Sequence, residues 1–304
     1  MRLLITGATG FIGQSLTDFL LKEGHELALL TRSLPKAASH PSTNWVVWSP
    51  NDETSIVREV DGIDGVINLA GEPVIGKRWT AAQKEKLLTS RVHATQILVR
   101  SIQKAARKPE VLVNASAIGY YGSRASDQLT EDASAGSDFL AGLTKAWEAH
   151  AIRAEDFGVR VVRLRIGVVL GKGGGALAKM LPPFRMGLGG WLGNGNQWMS
   201  WIHLYDLIRL IEFCLAREAI SGAVNAVSPQ PVTNKAFSMV LAQVLRRPCL
   251  FPVPAFVLKL LLGEASQILL SSQRIVSKAA LSKGFAFRYP EIRRALESIL
   301  AHPS

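Results

Sequence analysis

The chain has 304 residues, 48% of them hydrophobic and 19% charged, with a formal net charge of +11. Such a length buries a sizeable core, and this composition is that of a folded globular protein rather than a disordered one. The basic residues are scattered, and neither RNP-type aromatic motifs nor zinc-finger spacings occur. The excess charge therefore points to an anionic cofactor site rather than to nucleic acid.

From Met1 the chain runs directly into an apolar strand, Arg2 to Thr6, with no apolar leader and small-residue cleavage site before it. A glycine turn follows, then a helical pattern from Phe11 to Lys22 closed by Gly24. Glu26–Thr31, Trp45–Trp48, Gly65–Ala70, Val111–Ala115 and Val159–Leu164 read as further strands. Helical patterns cover Thr80–Ala106 and Phe139–Phe157. Strands alternating with helices predict a doubly wound parallel α/β sheet with helices on both faces. Beyond Gly171 the texture changes to glycine-rich runs, 171-GKGGG-175 and 187-GLGGWLGNG-195. The expected division is a Rossmann domain over 1–170, to which later segments return, and a smaller interleaved lobe over 171–304. The apolar stretch Ala255–Leu262 is broken by Lys259, and a bilayer span needs about 20 residues, so no membrane span is expected. Cys214 and Cys249 have no metal-type neighbours and fit idle thiols in a reducing, cytoplasmic compartment.

Gly7-Ala8-Thr9-Gly10-Phe11-Ile12-Gly13 sits between the first strand and the first helix, where a dinucleotide fingerprint belongs. Gly7 permits the tight turn, Gly10 a close approach to a pyrophosphate, and Gly13 close packing of helix on strand. The helix N-terminus offers N–H groups and partial positive charge to phosphates. At the end of the second strand, NAD binders usually place an acid on the ribose. Here the residues are Thr31-Arg32-Ser33, with Lys36 nearby. Arg32 can stack on adenine or pair with a 2′-phosphate, which favours NADP(H).

The phrases 7-GATGFIG-13, 68-NLAGE-72, 116-SAIGYYG-122, 165-RIGVVLG-171, 181-LPPFRMGLGG-190, 201-WIHLYD-206 and 225-NAVSP-229 span the chain. Together they resemble the extended short-chain dehydrogenase/reductases, and more closely their atypical epimerase-like subgroup of unknown substrate. The resemblance implies that Gly7, Thr9, Gly10, Phe11, Ile12 and Gly13 hold the pyrophosphate, with Thr31 and Arg32 at the adenosine. It implies further that Leu69, Ala70 and Gly71 lie beside the ribose and pyrophosphate, that Arg91 approaches the cofactor, and that Ala115 and Ser116 face the nicotinamide.

In the wider superfamily a Tyr-x-x-x-Lys pair and a serine move the proton while the nicotinamide moves a hydride. No tyrosine of this chain lies between residues 122 and 204. The helix that should carry it reads Phe139-Leu-Ala-Gly-Leu-Thr-Lys145-Ala-Trp147-Glu148. Lys145 can be the retained lysine, or an i,i+3 ion partner of Glu148. Ala117 falls at the serine's position, with Ser116 one step away. Tyr120 or Tyr121 can supply a displaced phenol, or can pack in the core. The arginine that clamps a nucleotide sugar's diphosphate is replaced by Met199, with Arg185 the nearest alternative cation. The partner expected is thus a small molecule other than a nucleotide sugar, in a monomer or a homodimer. His203 and Asp206 read as structural, the first bonding a neighbouring backbone and the second capping the next helix. Trp191, Trp198 and Trp201 suit either a lid or packing between lobes. Three functions follow as expectations: an NADP(H)-dependent oxidoreductase or epimerase, a non-catalytic NADP(H)-binding regulator, and, behind these two, a membrane-surface or nucleic-acid role driven by the basic charge.

Overall fold

The computed structural model describes residues 1–34, 40–48 and 54–301. Its centre is a seven-stranded, wholly parallel sheet. The strands are β1 (Arg2–Thr6), β2 (Glu26–Thr31), β3 (Thr43–Val47), β4 (Gly65–Asn68), β5 (Val111–Ala117), β6 (Arg160–Ile166) and β7 (Gly222–Ala226). In space they run β3-β2-β1-β4-β5-β6-β7. The chain reverses its direction of winding between β1 and β4, and the crevice at their C-terminal ends is where open α/β sheets take ligands.

Side chains alternate across each strand, and the two faces have separate cores. Leu3, Ile5, Leu27, Leu29, Val113 and Leu164 pack against helix α1 (Phe11–Lys22). Leu4, Ala28, Leu30, Val66 and Leu112 pack on the other side against α2 (Thr54–Val60) and α3 (Ala81–Lys104). Burying one such leucine side chain contributes about 1.5–3 kcal/mol. The helix α4 (Phe139–Ile152) follows β5, and a 3₁₀ turn over Arg153–Phe157 leads into β6. The predicted helix over 139–157 is therefore two pieces. Seven residues of α2 lie where no helix is predicted from the sequence, in a segment too short for a visible period.

Beyond 171 the chain forms α5 (Gly175–Arg185), α6 (Leu204–Ala216) and α7 (Asn234–Leu245), then the helices Ala255–Leu262 and Ile292–Leu300. Leu170, Leu177, Phe184, Trp201, Phe237, Leu241 and Leu296 make a core of their own. The segment nonetheless returns to the sheet: β7 pairs with β6, and α6 joins α1 on the first core face. Among the described residues no helix is long and apolar enough to cross a membrane, and no cluster of metal-ligating side chains occurs.

Candidate cofactor crevice and its catalytic end

The turn from β1 to α1 is built on three glycines with different duties. Gly7 has φ +72°, and a Cβ there would lie 2.8 Å from the Leu69 carbonyl oxygen. At Gly13 a Cβ would lie 2.7 Å from Ala8 Cα, so only glycine lets α1 pack this close. Gly10 is different, since a Cβ there would meet only the Gly7 oxygen, at 3.2 Å, with open space otherwise. Gly10 is the N-cap of α1, and no side chain caps that helix. The N–H groups of Phe11, Ile12 and Gly13 in its first turn are available to an anion. Thr9 is exposed, and its carbonyl accepts from Gln14 Nε2 at 3.1 Å. The ring of Phe11 turns away from this opening into the run Gly171–Gly175. A Cβ at Gly171 or Gly175 would lie 2.9 Å from that ring, which explains the glycines there.

A buried polar chain fixes the neighbouring strand ends. Thr6 Oγ1 donates to Asn68 Oδ1 at 2.6 Å and accepts the N–H groups of Leu69 and Ala70, both at 3.1 Å. Asn68 Nδ2 donates to Asn114 Oδ1 at 2.6 Å and to Thr95 Oγ1 at 2.8 Å, and Trp147 Nε1 also reaches Thr95 at 2.9 Å. Leu69 and Ala70 are half-buried and Gly71 is exposed. Beneath Gly71 lies the guanidinium of Arg91, 3.0 Å from where a Cβ would stand. Arg91 donates to the carbonyls of Glu72 at 2.8 Å and Leu87 at 3.1 Å. Burial pushes its pKa down to about 10, opposed by Glu72, so it remains a cation at neutral pH.

Thr31 is buried at the end of β2, and its hydroxyl donates to the Ser33 carbonyl at 2.8 Å. Arg32 is exposed beside it, and Lys36 lies outside the described residues. The acid missing from the C-terminal end of β2 has a counterpart elsewhere: Glu72, paired with Lys77 at 2.8 Å, is held below the usual carboxylate range. The Lys77 hydrogen bond is the main cause, and Arg32 contributes through its charge. Nothing local in the sequence announces this neighbour, since 40 positions separate Arg32 from Glu72.

The fold gathers Ser116, Tyr120 and Tyr121 around the Glu148–Arg165 pair and leaves Lys145 apart. Ser116 is buried and donates to Glu148 Oε1 at 2.6 Å. Glu148 is also buried, and Arg165 grips it through Nε at 2.8 Å and Nη2 at 3.0 Å, while Arg163 adds a contact at 3.2 Å. Tyr121 is fully buried; its hydroxyl donates to Asn225 Oδ1 at 2.7 Å and accepts from Arg165 Nη1 at 2.9 Å. Burial pushes its pKa up to about 12. Lys145 is exposed on the outward stripe of α4 with Gly142 and Ala149. The anticipated Lys145–Glu148 pair is thus replaced by Glu148 with Arg163 and Arg165, because Glu148 faces the sheet and Lys145 faces solvent. Four positions before Lys145, where a Tyr-x-x-x-Lys phenol would stand, is the buried Ala141. Ala115 is buried with Trp79, Leu87 and Trp147. Tyr120 is half-buried, with the Arg165 guanidinium 3.5 Å from its ring centroid. One signal for this network was present: two arginines on one face of the core strand β6 require a carboxylate, and Glu148 is on the preceding helix.

The second lobe brings corrections of its own. Asp206 does not cap α6 but accepts the N–H groups of Arg288 at 2.8 Å and Tyr289 at 2.9 Å. The cap is His203, whose Nδ1 accepts from Tyr205 N at 3.0 Å. Burial, then the charge of Arg288, lowers the His203 pKa to about 4. Trp201 belongs to the core, with Nε1 bonded to the Gln230 carbonyl at 3.0 Å, so it is not part of a lid. Trp191 carries Lys235 over its ring at 4.8 Å and Trp198 carries Arg274 at 4.6 Å. Arg185 is exposed in the last turn of α5.

A parallel sheet with a glycine-lined phosphate turn at its switch point defines a nucleotide-binding Rossmann protein. Residues 3–226 match the NAD dependent epimerase/dehydratase family, and the chain belongs to that family. Residues 253–299 match a domain of unknown function, DUF1731. The chain is 38% identical over 302 residues to the epimerase family protein YfhF of Bacillus subtilis, covering 99% of this chain and 98% of that one. It is 36% identical over 305 residues to the mouse epimerase family protein SDR39U1, covering 99% and 100%. The crystal structure of human SDR39U1 isoform 2 with NADPH superposes with a TM-score of 0.91 at 33% identity, over 100% of both chains.

Proposed function

We propose that this chain binds NADP(H) across the switch-point crevice and uses it in hydride exchange with a small, fairly apolar carbonyl or alcohol. The observation that carries the binding is the uncapped N-terminus of α1 under the open side of Gly10. Phe11, Ile12 and Gly13 would hold the pyrophosphate by backbone N–H groups. Arg32 would take the 2′-phosphate, and the NADPH carried by human SDR39U1 supports that choice over NAD. Leu69, Ala70 and Gly71 would line the ribose side, with Arg91 behind them as fixed positive charge. Residues 1–170 would supply the cofactor site and 171–304 most of the substrate site.

When bound, the nicotinamide supplies or accepts the hydride. The proton is assigned to Tyr120, because the hydroxyls of Ser116 and Tyr121 are engaged in the Glu148–Arg165 network and Lys145 points outward. The Arg165 guanidinium packs on the Tyr120 ring and holds it at the end of β5. Met199 in place of a diphosphate-binding arginine argues against a nucleotide sugar. The same engagement of Ser116 and Tyr121 favours a second reading, a cofactor-binding protein without turnover. NADPH oxidation screened over aldehydes, ketones and quinones separates the two. Turnover lost in Tyr120→Phe with cofactor affinity retained supports the enzyme. No turnover on any substrate, with NADPH bound at micromolar concentration, supports the second reading.

A further inference from the structure

Most apolar surface of the second lobe is buried, but one face is not. Segments 187–193 and 248–254 run side by side, joined by the Leu192–Val253 bridge and by Gly193 N donating to the Val253 carbonyl at 2.8 Å. The chain then enters the helix Ala255–Leu262. Along this run Leu188 is 74% exposed, Phe251 78%, Phe256 70% and Leu260 73%. Phe256 and Leu260 are one helical turn apart, so they share a side of the helix, with Lys259 between them. Lone exposed leucines need no account, whereas a concentration of phenylalanine and leucine on adjacent segments marks a contact surface.

The charge around this face is one-sided. Residues 172–205 hold three Lys or Arg and residues 219–263 hold four, and neither stretch contains an Asp or Glu. Arg185, Arg246, Arg247 and Lys259 are exposed there. A second copy of the chain would bring these cations against their own images. Beside the helix lies an open hollow of about 870 Å³, lined by Trp198, Pro252, Pro254, Lys259 and Leu270. The lining also includes Ser126, Asn194, Asn196, Gln197 and Ser272, but its exposed surface is mainly apolar, which with the Lys259 ammonium suits an acyl chain below an anionic headgroup.

We propose that this face seats the protein on an anionic lipid surface. The phenylalanine and leucine side chains enter the headgroup–acyl boundary while Arg185, Arg246, Arg247 and Lys259 meet the lipid phosphates. The helix Ala255–Leu262, eight residues long, lies on the membrane and does not cross it.

The test is flotation of the full chain with phosphatidylcholine vesicles, with and without about 30% phosphatidylglycerol, at about 0.15 M salt. The wild type is expected to bind the anionic vesicles at least about tenfold better than the neutral ones. The triple variant Phe251→Ser/Phe256→Ser/Leu260→Ser is expected to lose at least about tenfold of that binding while keeping its melting temperature, since all three positions are exposed. Arg247→Glu/Lys259→Glu should abolish the preference for anionic lipid, whereas Lys22→Glu/Arg58→Glu, with the same net charge but on α1 and α2, should keep it. Equal loss in both double variants overturns the proposal, because total charge would then govern. Failure of the wild type to float with anionic vesicles also overturns it. The face then belongs to an acidic protein, or to a second copy if sedimentation shows a dimer that the triple variant dissolves.

Discussion

At the β1–α1 turn the polar groups face outward, and no side chain caps the first turn of α1. At the end of β5, one crevice wall away, the polar groups face inward and are consumed by one another. The first arrangement is what a phosphate-bearing ligand needs. The second is what a stable core needs: Glu148 and Arg165 are a buried ion pair whose remaining hydrogen-bonding capacity is met by Ser116, Arg163 and Tyr121. In one Rossmann crevice the cofactor end is open while the neighbouring hydroxyls, Ser116 and Tyr121, are tied into structure.

Variants can break that contrast in order of size. Glu148→Ala leaves the Arg165 guanidinium buried and unpaired and is expected to cost about 3–5 kcal/mol, read from urea denaturation. A loss below about 1 kcal/mol would mean that the pair is not structural. His203 gives a pH-dependent effect. Its folded pKa of about 4 lies below the unfolded value of 6.5, so between these the unfolded chain binds more protons. The neutral ring's contribution is complete above pH 6.5 and is lost as pH falls toward 4, a change of roughly 2–3 kcal/mol. His203→Asn keeps the helix cap and should flatten stability across that window; an unchanged slope would assign the dependence to other groups. The smallest effects compare two adjacent phenols. Tyr121→Phe orphans Asn225 Oδ1 and should cost about 1–3 kcal/mol, whereas Tyr120→Phe should stay within about 0.5 kcal/mol while abolishing turnover. Equal destabilisation by the two would remove the ground for treating Tyr120 as the free phenol.

What the sequence disclosed follows the range of the interactions. Gly7, Gly10 and Gly13 act within one turn, so their spacing displays their purpose, and the strands of the sheet core are visible as apolar runs. Arg165 and Glu148 meet across 17 positions, Tyr121 and Asn225 across 104, and Thr6 and Asn68 across 62. Local periodicity cannot see such pairs. Lys145 was misleading for a related reason: i,i+3 spacing allows a pair with Glu148, but the edge of the buried face of α4 falls between them, leaving Lys145 exposed and Glu148 buried against Arg163 and Arg165. The glycine-rich run Gly171–Gly175 is in part a slot for the Phe11 ring, a contact across 160 positions or more that composition alone does not show.

The most direct test of the account is calorimetric titration of NADPH and NADH into the wild type and Arg32→Ala. The account predicts NADPH binding at least about tenfold tighter than NADH in the wild type, and loss of most of that preference in the variant, the equivalent of about 1.5–3 kcal/mol for one charge-assisted contact. Equal affinities for the two cofactors in the wild type would contradict it.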